Sequence, residues 1–294
     1  MKIAAAAYPI DHLASWAAYE DKLAAWVAEA AGNGADLLVF PEYGAMELAS
    51  LSDAPDKGER EGSIAAVNQW IGRAHDLHAA LAKNHGVHIL CASAPVAGPV
   101  RPTNQARLFA PSGGVAIQDK QIMTRYEREQ WDIRPGRPLS VIDTDLGRLG
   151  ILICYDAEFP LLARALVEAG AGILLVPSVT EAISGYNRVR IGAMARALEN
   201  QCVTVQAPCV GSAPWCEPVE ESNGAAAIYG PPDLGFPEDG VIAQGAMNVP
   251  GWVYAEVTLD AIARVRAEGR VANHADWNRQ SGAPEALQFL DIRG

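Results

Sequence analysis

The sequence predicts a single-domain, mixed α/β protein in which strands and helices pack in layers. Short apolar runs of strand length alternate with longer amphipathic patterns over the whole chain of 294 residues. No linker, low-complexity tract or change of composition divides it. Half of the residues are apolar and 20% are charged, which is typical of a globular protein.

Turn signals separate the elements of the first half. Gly32-Asn33-Gly34 is typical of a helix end, and Pro41 stops a buried strand. Pro111-Ser112-Gly113 joins two strands of a hairpin. The predicted elements are a strand over 3–8, a helix over 13–31, a strand over 36–40, a helix over 64–84, a strand over 87–92, and hairpin strands over 105–110 and 114–118.

The second half continues the alternation up to residue 270. The predicted elements are strands over 140–143 and 148–154, a helix over 161–169, a strand over 172–176, a helix over 186–200, strands over 202–207, 225–229, 241–243 and 252–257, and a helix over 259–268. We therefore predict one domain over 1–270. Residues 271–294 form a largely polar tail with a few apolar anchors, which we expect to pack on the domain or on a partner subunit.

Charge and hydropathy argue against two classes of partner. The net charge is −12, and the densest basic stretch, 125–137, is interleaved with acidic residues, so nucleic acid is a poor partner. No uncharged run reaches the roughly 18–20 apolar residues that span a bilayer. We therefore expect neither nucleic-acid nor membrane binding.

The five cysteines are irregularly spaced and include no CxxC pair, so we expect free thiols in a reducing cytoplasm. His75, His78 and His85 fall on a long amphipathic helix, where we expect a solvated face rather than a metal site. Cys202, Cys209 and Cys216 lie in a strand and loops, which makes a zinc site a poor interpretation. We expect no metal and no organic cofactor.

Three reactive side chains each follow an apolar strand. Glu42 follows strand 36–40, Lys120 follows strand 114–118, and Cys154 ends strand 148–154. Strands that run in the same sense in one sheet bring such residues to a shared rim, where α/β folds place their sites. Taken singly, each residue is more often structural. Taken together, they predict one site.

The chemistry of this trio is that of a thiol nucleophile. A thiol attacks as its thiolate, which a nearby ammonium stabilises and a carboxylate generates by accepting the proton. After attack on a carbonyl the ammonium stabilises the oxyanion, and the carboxylic acid protonates the leaving amine.

Four motifs carry a resemblance to a known family. They are Phe40-Pro41-Glu42, Asp119-Lys120, the segment from Ile153 to Pro160 that begins Ile-Cys-Tyr-Asp, and the helix segment from Ala195 to Asn200. In this order and spacing the chain resembles the carbon–nitrogen hydrolases of the nitrilase superfamily over nearly its whole length.

The resemblance implies a four-layer αββα sandwich that forms a homodimer or a larger homo-oligomer. It implies Cys154 as nucleophile, Glu42 as general base and acid, and Lys120 as oxyanion stabiliser. A second glutamate is expected in the loop after the lysine, shortly before an aromatic residue and Pro-Gly. Glu129 is the better match to this pattern, and Glu127 is its rival because one extra loop residue would exchange them.

The substrate pocket is predicted from aromatic residues near the motifs: Tyr155, Tyr43, Trp131 and Tyr186. Loops at 47–62, 125–137 and 210–223 are expected to shape it. Tyr155-Asp156 after the nucleophile resembles the amidase branches, so the predicted substrate is a small carboxamide. An N-carbamoyl amino acid or a nitrile is the alternative. A non-catalytic binding subunit that keeps the fold is an interpretation of a different class.

Overall fold

A computed structural model describes residues 1–280 and 288–293 of the chain. Within these residues the strands are β1 (Lys2–Pro9), β2 (Leu37–Val39), β3 (His88–Leu90), β4 (Ala94–Val96), β5 (Thr103–Phe109), β6 (Val115–Asp119), β7 (Val141–Thr144), β8 (Gly147–Ile151), β9 (Ile173–Ser178), β10 (Val203–Ser212), β11 (Glu221–Ser222), β12 (Ala227–Tyr229), β13 (Val241–Gln244) and β14 (Gly251–Glu256).

The helices are α1 (Trp16–Gly32), α2 (Arg60–His85), α3 (Arg125–Glu129), α4 (Pro160–Glu168), α5 (Ile183–Asn200), α6 (Leu259–Glu268) and α7 (Asn273–Asp276). Short 3-10 helices cover Gly44–Leu51, Cys154–Glu158, Glu217–Val219 and Trp277–Gln280. No helix in the described part of the chain has a stretch long and apolar enough to cross a membrane.

The strands form two half-sheets that meet at one corner. In one, β14, β1, β2, β3 and β5 are neighbours in that order, and β4 and β6 both pair with β5. In the other, β7, β8, β9, β10, β12 and β13 are neighbours in that order. The two are joined where Tyr8 and Pro9 pair with Cys209 and Val210.

Alternation along β1 shows how the layers are built. Ala4 and Ala6 face a core shared with α1 and α2, whereas Ile3 and Ala5 face a second core shared with the other half-sheet, α4 and α5. Successive side chains of a strand point to opposite faces, so an all-buried strand such as β1 lies between two apolar layers. The result is the predicted αββα sandwich in one domain.

One detail differs from the expectations. His75 and His78 are buried against Phe109 rather than solvated, because α2 packs that face onto the sheet. The first part of the C-terminal segment lies against the domain: Gln201 bonds to Val271 and His274, and the guanidinium of Arg164 lies 5.0 Å from the Trp277 ring. Residues 281–287 and 294 lie outside the described residues, so packing of the whole tail stays a prediction.

Candidate active site

The three predicted strand ends run in the same sense. β8, β9, β10, β1 and β2 are each parallel to the next strand in this order. β3 is parallel to β2, and β5 is antiparallel to both β3 and β6. β6 therefore also runs in the same sense as β2. The residues that follow β2, β6 and β8 therefore emerge at one rim. A pocket of about 380 Å³ opens there, and Glu42, Lys120 and Cys154 all line it.

Lys120 lies at the centre of the site and is 1% exposed. Its Nζ donates to Glu42 Oε1 and to Glu127 Oε2, both at 2.7 Å. Burial opposes the charged form of the lysine, but the Glu127 and Glu42 carboxylates outweigh burial and raise its pKa. The ammonium is therefore a fixed positive charge at the pocket wall.

Glu42 is held by three donors. Besides Lys120, Asn104 Nδ2 donates to Oε1 at 2.9 Å and the Val179 backbone N–H donates to Oε2 at 3.0 Å. Burial is the largest influence and raises the pKa of Glu42, and the Glu127 charge adds to this while Lys120 opposes it. Of the two carboxylates that contact Lys120, Glu42 is thus the one whose pKa is raised.

Glu127, by contrast, stays ionised. Burial alone would raise its pKa, but Lys120 and the hydrogen bonds from the N–H and hydroxyl of Thr124 outweigh burial and lower it. The Tyr43 hydroxyl also donates to Glu127, at 2.9 Å. The two carboxylates that contact Lys120 therefore have pKa values shifted in opposite directions. In active sites such a difference allows one carboxylate to exchange a proton while the other stays ionised.

Cys154 occupies a strained turn directly after β8. Its φ is 51°, in the left-handed region, as the chain leaves the strand and enters the 3-10 helix Cys154–Glu158. Such a conformation costs a non-glycine residue about 1–3 kcal/mol and is concentrated at functional sites. It places Sγ at the pocket, 3.7 Å from the Val179 carbonyl oxygen.

The thiol of Cys154 is not preformed as a thiolate. Burial and the Glu42 carboxylate raise its pKa well above the usual value, and Lys120 opposes this only in part. Attack therefore requires removal of the proton by a neighbouring base during the reaction.

The prediction for Glu129 is wrong. Its carboxylate lies at the surface, 52% exposed, and pairs with Arg128 at 3.0 Å, whereas Glu127 contacts Lys120. The reason is α3: Thr124 caps this short helix, and Glu127 folds back to the Thr124 backbone in a capping box. A residue two positions later lies on nearly the opposite side of the helix. The Thr-x-x-Glu spacing was a signal in the sequence that favoured Glu127.

Asp156 was not predicted as part of the site. It is buried, and its carboxylate accepts the backbone N–H groups of Gln121 and Ile122, directly after Lys120. Burial raises its pKa to about 6, although Lys120 and these hydrogen bonds oppose the shift. Asp156 thereby ties the loop that carries the lysine to the turn that carries the cysteine.

Comparison with known proteins matches residues 2–267 to the carbon–nitrogen hydrolase family. The chain is a member of this family. The probable hydrolase YhcX of Bacillus subtilis is 32% identical over 281 residues, which cover 95% of this chain and 54% of that protein. A deaminated glutathione amidase of Yersinia enterocolitica is 37% identical over 45% of this chain and 50% of its own length. This carbon–nitrogen hydrolase thus spans about half the length of these curated relatives.

Solved structures share its fold. The carbon–nitrogen hydrolase of Helicobacter pylori aligns over 98% of both chains with a TM-score of 0.76 and 18% identity. An amidase of Nesterenkonia sp. aligns over 94% of this chain and 96% of its own, with a TM-score of 0.64 and 24% identity. The αββα architecture is therefore that of the nitrilase superfamily.

Of the predicted substrate-binding residues, Tyr155, Tyr43 and Trp131 line the pocket of this carbon–nitrogen hydrolase. Tyr186 does not: it is 2% exposed and absent from the pocket wall, because α5 turns it into the core near Tyr229. Loops 125–137 and 210–223 contribute to the pocket as expected, whereas loop 47–62 does not.

Two further parts of the wall were missed. The segment 179–189, which leads from β9 into α5, supplies a large share of the wall, including Arg188. Glu158 also lines the pocket and lies 3.6 Å from Arg188. Within residues 1–280 and 288–293, no three His, Cys, Asp or Glu side chains are grouped to hold a metal ion.

Proposed function

We propose that this protein hydrolyses a small carboxamide to a carboxylate and ammonia through a thioester on Cys154. The observation that carries the proposal is the shared pocket of Cys154, Lys120 and Glu42, in which burial raises the pKa of Glu42 next to the thiol. A nucleophile, an electrophilic cation and a proton acceptor are then within reach of one bound carbonyl.

In the acylation half-reaction, Cys154 Sγ attacks the amide carbon while Glu42 accepts the thiol proton. The developing oxyanion is stabilised by Lys120 Nζ and by the backbone N–H of Tyr155, which opens the 3-10 helix after the nucleophile. One donor of this kind typically lowers the barrier by about 3–4 kcal/mol. Glu42, now protonated, gives its proton to the leaving nitrogen, and ammonia departs.

In the deacylation half-reaction, water attacks the thioester. Glu42 removes a proton from that water and gives it to the Cys154 sulfur as the thioester bond breaks, so the thiol is regenerated and the carboxylate ends in its starting state. Glu127 takes no proton in this scheme. It keeps Lys120 charged and in place through the 2.7 Å contact described above.

The amide assignment has two supports. Tyr155-Asp156 follows the nucleophile, and curated relatives are named as amidases, among them an omega-amidase of Xenopus laevis that is 23% identical over 82% of this chain. An N-carbamoyl amino acid would release carbon dioxide together with ammonia, whereas an amide and the corresponding nitrile give the same carboxylate and ammonia. Carbon dioxide release therefore identifies a carbamoyl substrate, and assays of the purified amide and the purified nitrile in separate reactions distinguish the other two.

The test measures ammonia release from a panel of small amides, N-carbamoyl amino acids and nitriles. We expect Cys154→Ala and Lys120→Ala to lose at least a thousandfold in kcat/KM. Cys91→Ala, which alters another buried cysteine outside the pocket wall, is the matched control and is expected to retain activity. Intact-protein mass spectrometry should trap an acyl group on Cys154. Undiminished turnover in either active-site variant would overturn the mechanism, and a folded protein without turnover would favour the binding-subunit interpretation.

A further inference from the structure

The mouth of the active-site pocket is strongly acidic. Beyond the Glu42, Lys120 and Glu127 group, the pocket wall carries one cation, Arg188, and five carboxylates: Glu158, Glu181, Glu217, Glu220 and Glu221. They come from three separate segments, namely the 3-10 helix after β8, the start of the β9–α5 connection, and the region around β11. Like charges from independent segments therefore converge on one opening.

Most of this charge is not neutralised within the protein. Glu217 pairs with Arg60 at 2.9 Å, and Glu158 lies 3.6 Å from Arg188. The carboxylate of Glu221 accepts a hydrogen bond from the Ser212 hydroxyl, which leaves its charge in place. Neither Glu181 nor Glu220 forms an ion pair with any residue that the structure describes.

The inner wall adds an independent feature that favours a cation. Trp131 is flanked by two tyrosine rings, with its centroid 4.9 Å from that of Tyr43 and 6.1 Å from that of Tyr126, and all three residues line the pocket. The electron-rich faces of aromatic rings attract ammonium and guanidinium groups. In addition, the Tyr126 hydroxyl is buried and has no hydrogen-bond partner in the described residues. A donor or an acceptor on a bound ligand would satisfy it, so this hydroxyl indicates a ligand contact and the aromatic faces and carboxylates indicate its charge.

We propose that the substrate carries a positively charged amine or guanidine at the end remote from its scissile bond, and that Glu181, Glu220 and Glu221 recognise this group. The proposal rests on the proposed function, because it uses the same pocket. Carboxylates around a partly enclosed opening concentrate a cationic substrate and repel an anionic one. An amide that ends in a carboxylate would meet this repulsion.

Arg188 is the one pocket feature that favours the opposite charge. Its side chain is 62% exposed and the nearby carboxylate of Glu158 offsets its charge. Anion binding by Arg188 would predict the reverse order of substrates, so the same experiment decides between the two.

The experiment compares three amides of matched length: 5-aminopentanamide, hexanamide and 5-carbamoylpentanoate, whose remote ends are cationic, neutral and anionic. We expect kcat/KM for the cationic amide to exceed that for hexanamide at least tenfold, with the anionic amide slowest. The preference should decrease as salt is added, because exposed charges are screened. Equal rates, or a preference for the anion, would overturn the proposal while leaving the amidase function intact.

Variants assign the preference to the named residues. The double change Glu181→Gln and Glu220→Gln should reduce the ratio of cationic to neutral kcat/KM at least fivefold, chiefly through KM. Glu238→Gln removes the same kind of charge from an exposed position outside the pocket and should keep the ratio. If the ratio of cationic to neutral kcat/KM is unchanged in the double variant, these glutamates do not recognise the cationic group.

Absence of turnover is also informative. If none of the three amides is hydrolysed, their binding to the Cys154→Ala protein is measured by calorimetry. Tighter binding of the cationic amide would then support the inferred substrate class although the proposed reaction had failed, and equal or anion-selective binding would refute the class as well.

Discussion

At the scale of single residues, the site is organised by one lysine that two glutamates share. Glu42 and Glu127 accept hydrogen bonds from the same Nζ, yet their pKa values move apart. Burial and the Glu127 charge raise the pKa of Glu42, which faces Cys154. Lys120 together with the N–H and hydroxyl of Thr124 outweighs burial at Glu127 and lowers its pKa.

The first prediction concerns the two rival glutamates. Glu127→Gln should lower kcat by about ten- to a thousandfold, because Lys120 loses one of its two ionic partners and its fixed position. Glu129→Gln is the matched control and should stay within twofold of the wild type, because Glu129 contacts only surface arginines. Steady-state kinetics with thermal unfolding of each variant checks this. Equal loss in both variants would contradict the geometry.

The second prediction is a pH dependence. Glu42 accepts a proton only when ionised, and burial raises its pKa, so the acidic limb of kcat/KM should lie above the usual range of glutamic acid. Because the Glu127 charge contributes to this raised pKa, Glu127→Gln should move the limb to lower pH. The pH at which kcat/KM falls on the acidic side reports the titration of the coupled carboxylates together, not that of Glu42 alone. A limb that does not move in Glu127→Gln would show that the two carboxylates are not coupled.

At the scale of elements, helix α5 supports the turn that carries the nucleophile. A Cβ on Gly192 would come within 3.0 Å of the Ala157 carbonyl oxygen, so only glycine allows this close approach without a shift. Arg196 Nη1 donates to the same carbonyl at 3.3 Å. The helix motif noted in the sequence thus stabilises the 3-10 helix Cys154–Glu158 and does not itself enter the pocket.

The third prediction concerns Asp156, which links this turn to the lysine loop. Its pKa is raised to about 6 in the folded protein, so the folded state binds more protons than the unfolded state between about pH 4 and 6. Its contribution to the free energy of unfolding therefore falls as the pH rises through this window, by roughly 2–3 kcal/mol. In Asp156→Asn this contribution is absent. Urea unfolding of the wild type and of Asp156→Asn from pH 4.5 to 7.5 checks this prediction. If the difference between their free energies of unfolding does not change with pH, the prediction is refuted.

At the scale of the whole molecule, the outer α4–α5 layer exposes apolar side chains. Ile183, Ile191 and Leu198 lie on one face of α5, and Leu161 is exposed on neighbouring α4. Several exposed apolar side chains on neighbouring helices are typical of an interface between subunits. It agrees with the homo-oligomer that the family resemblance implies, which remains a prediction.

The fourth prediction tests that assembly. Size-exclusion chromatography with light scattering should give a wild-type mass of two or more chains. Ile191→Glu should shift the mass towards that of one chain, because the variant would bury a charge in the interface. Val100→Glu places the same charge at another exposed apolar position and should leave the mass unchanged. A monomeric wild type would exclude the interface.

Much of the molecule could be predicted from the sequence, because local patterns determine most of it. Buried strands such as β2 and β9 are short apolar runs, although β9 continues through Pro177 beyond its predicted end, and the long helices have amphipathic repeats. The three strand-end residues followed from reactive side chains placed after apolar strands, together with the family resemblance. Glu127 was given second place because its position depends on the phase of a five-residue helix. The connection before α5 was not among the predicted pocket loops, because long-range packing brings it to the pocket.

The burial of Lys120 has a practical consequence. The chain has five lysines, and the other four, Lys2, Lys22, Lys57 and Lys83, are at least partly exposed. Reagents that modify free amines should therefore react with those four and the N-terminus long before they reach the side chain on which turnover would depend. Attachment to an amine-reactive resin should accordingly preserve the proposed activity, and labelling of Lys120 would serve as a chemical reporter of unfolding.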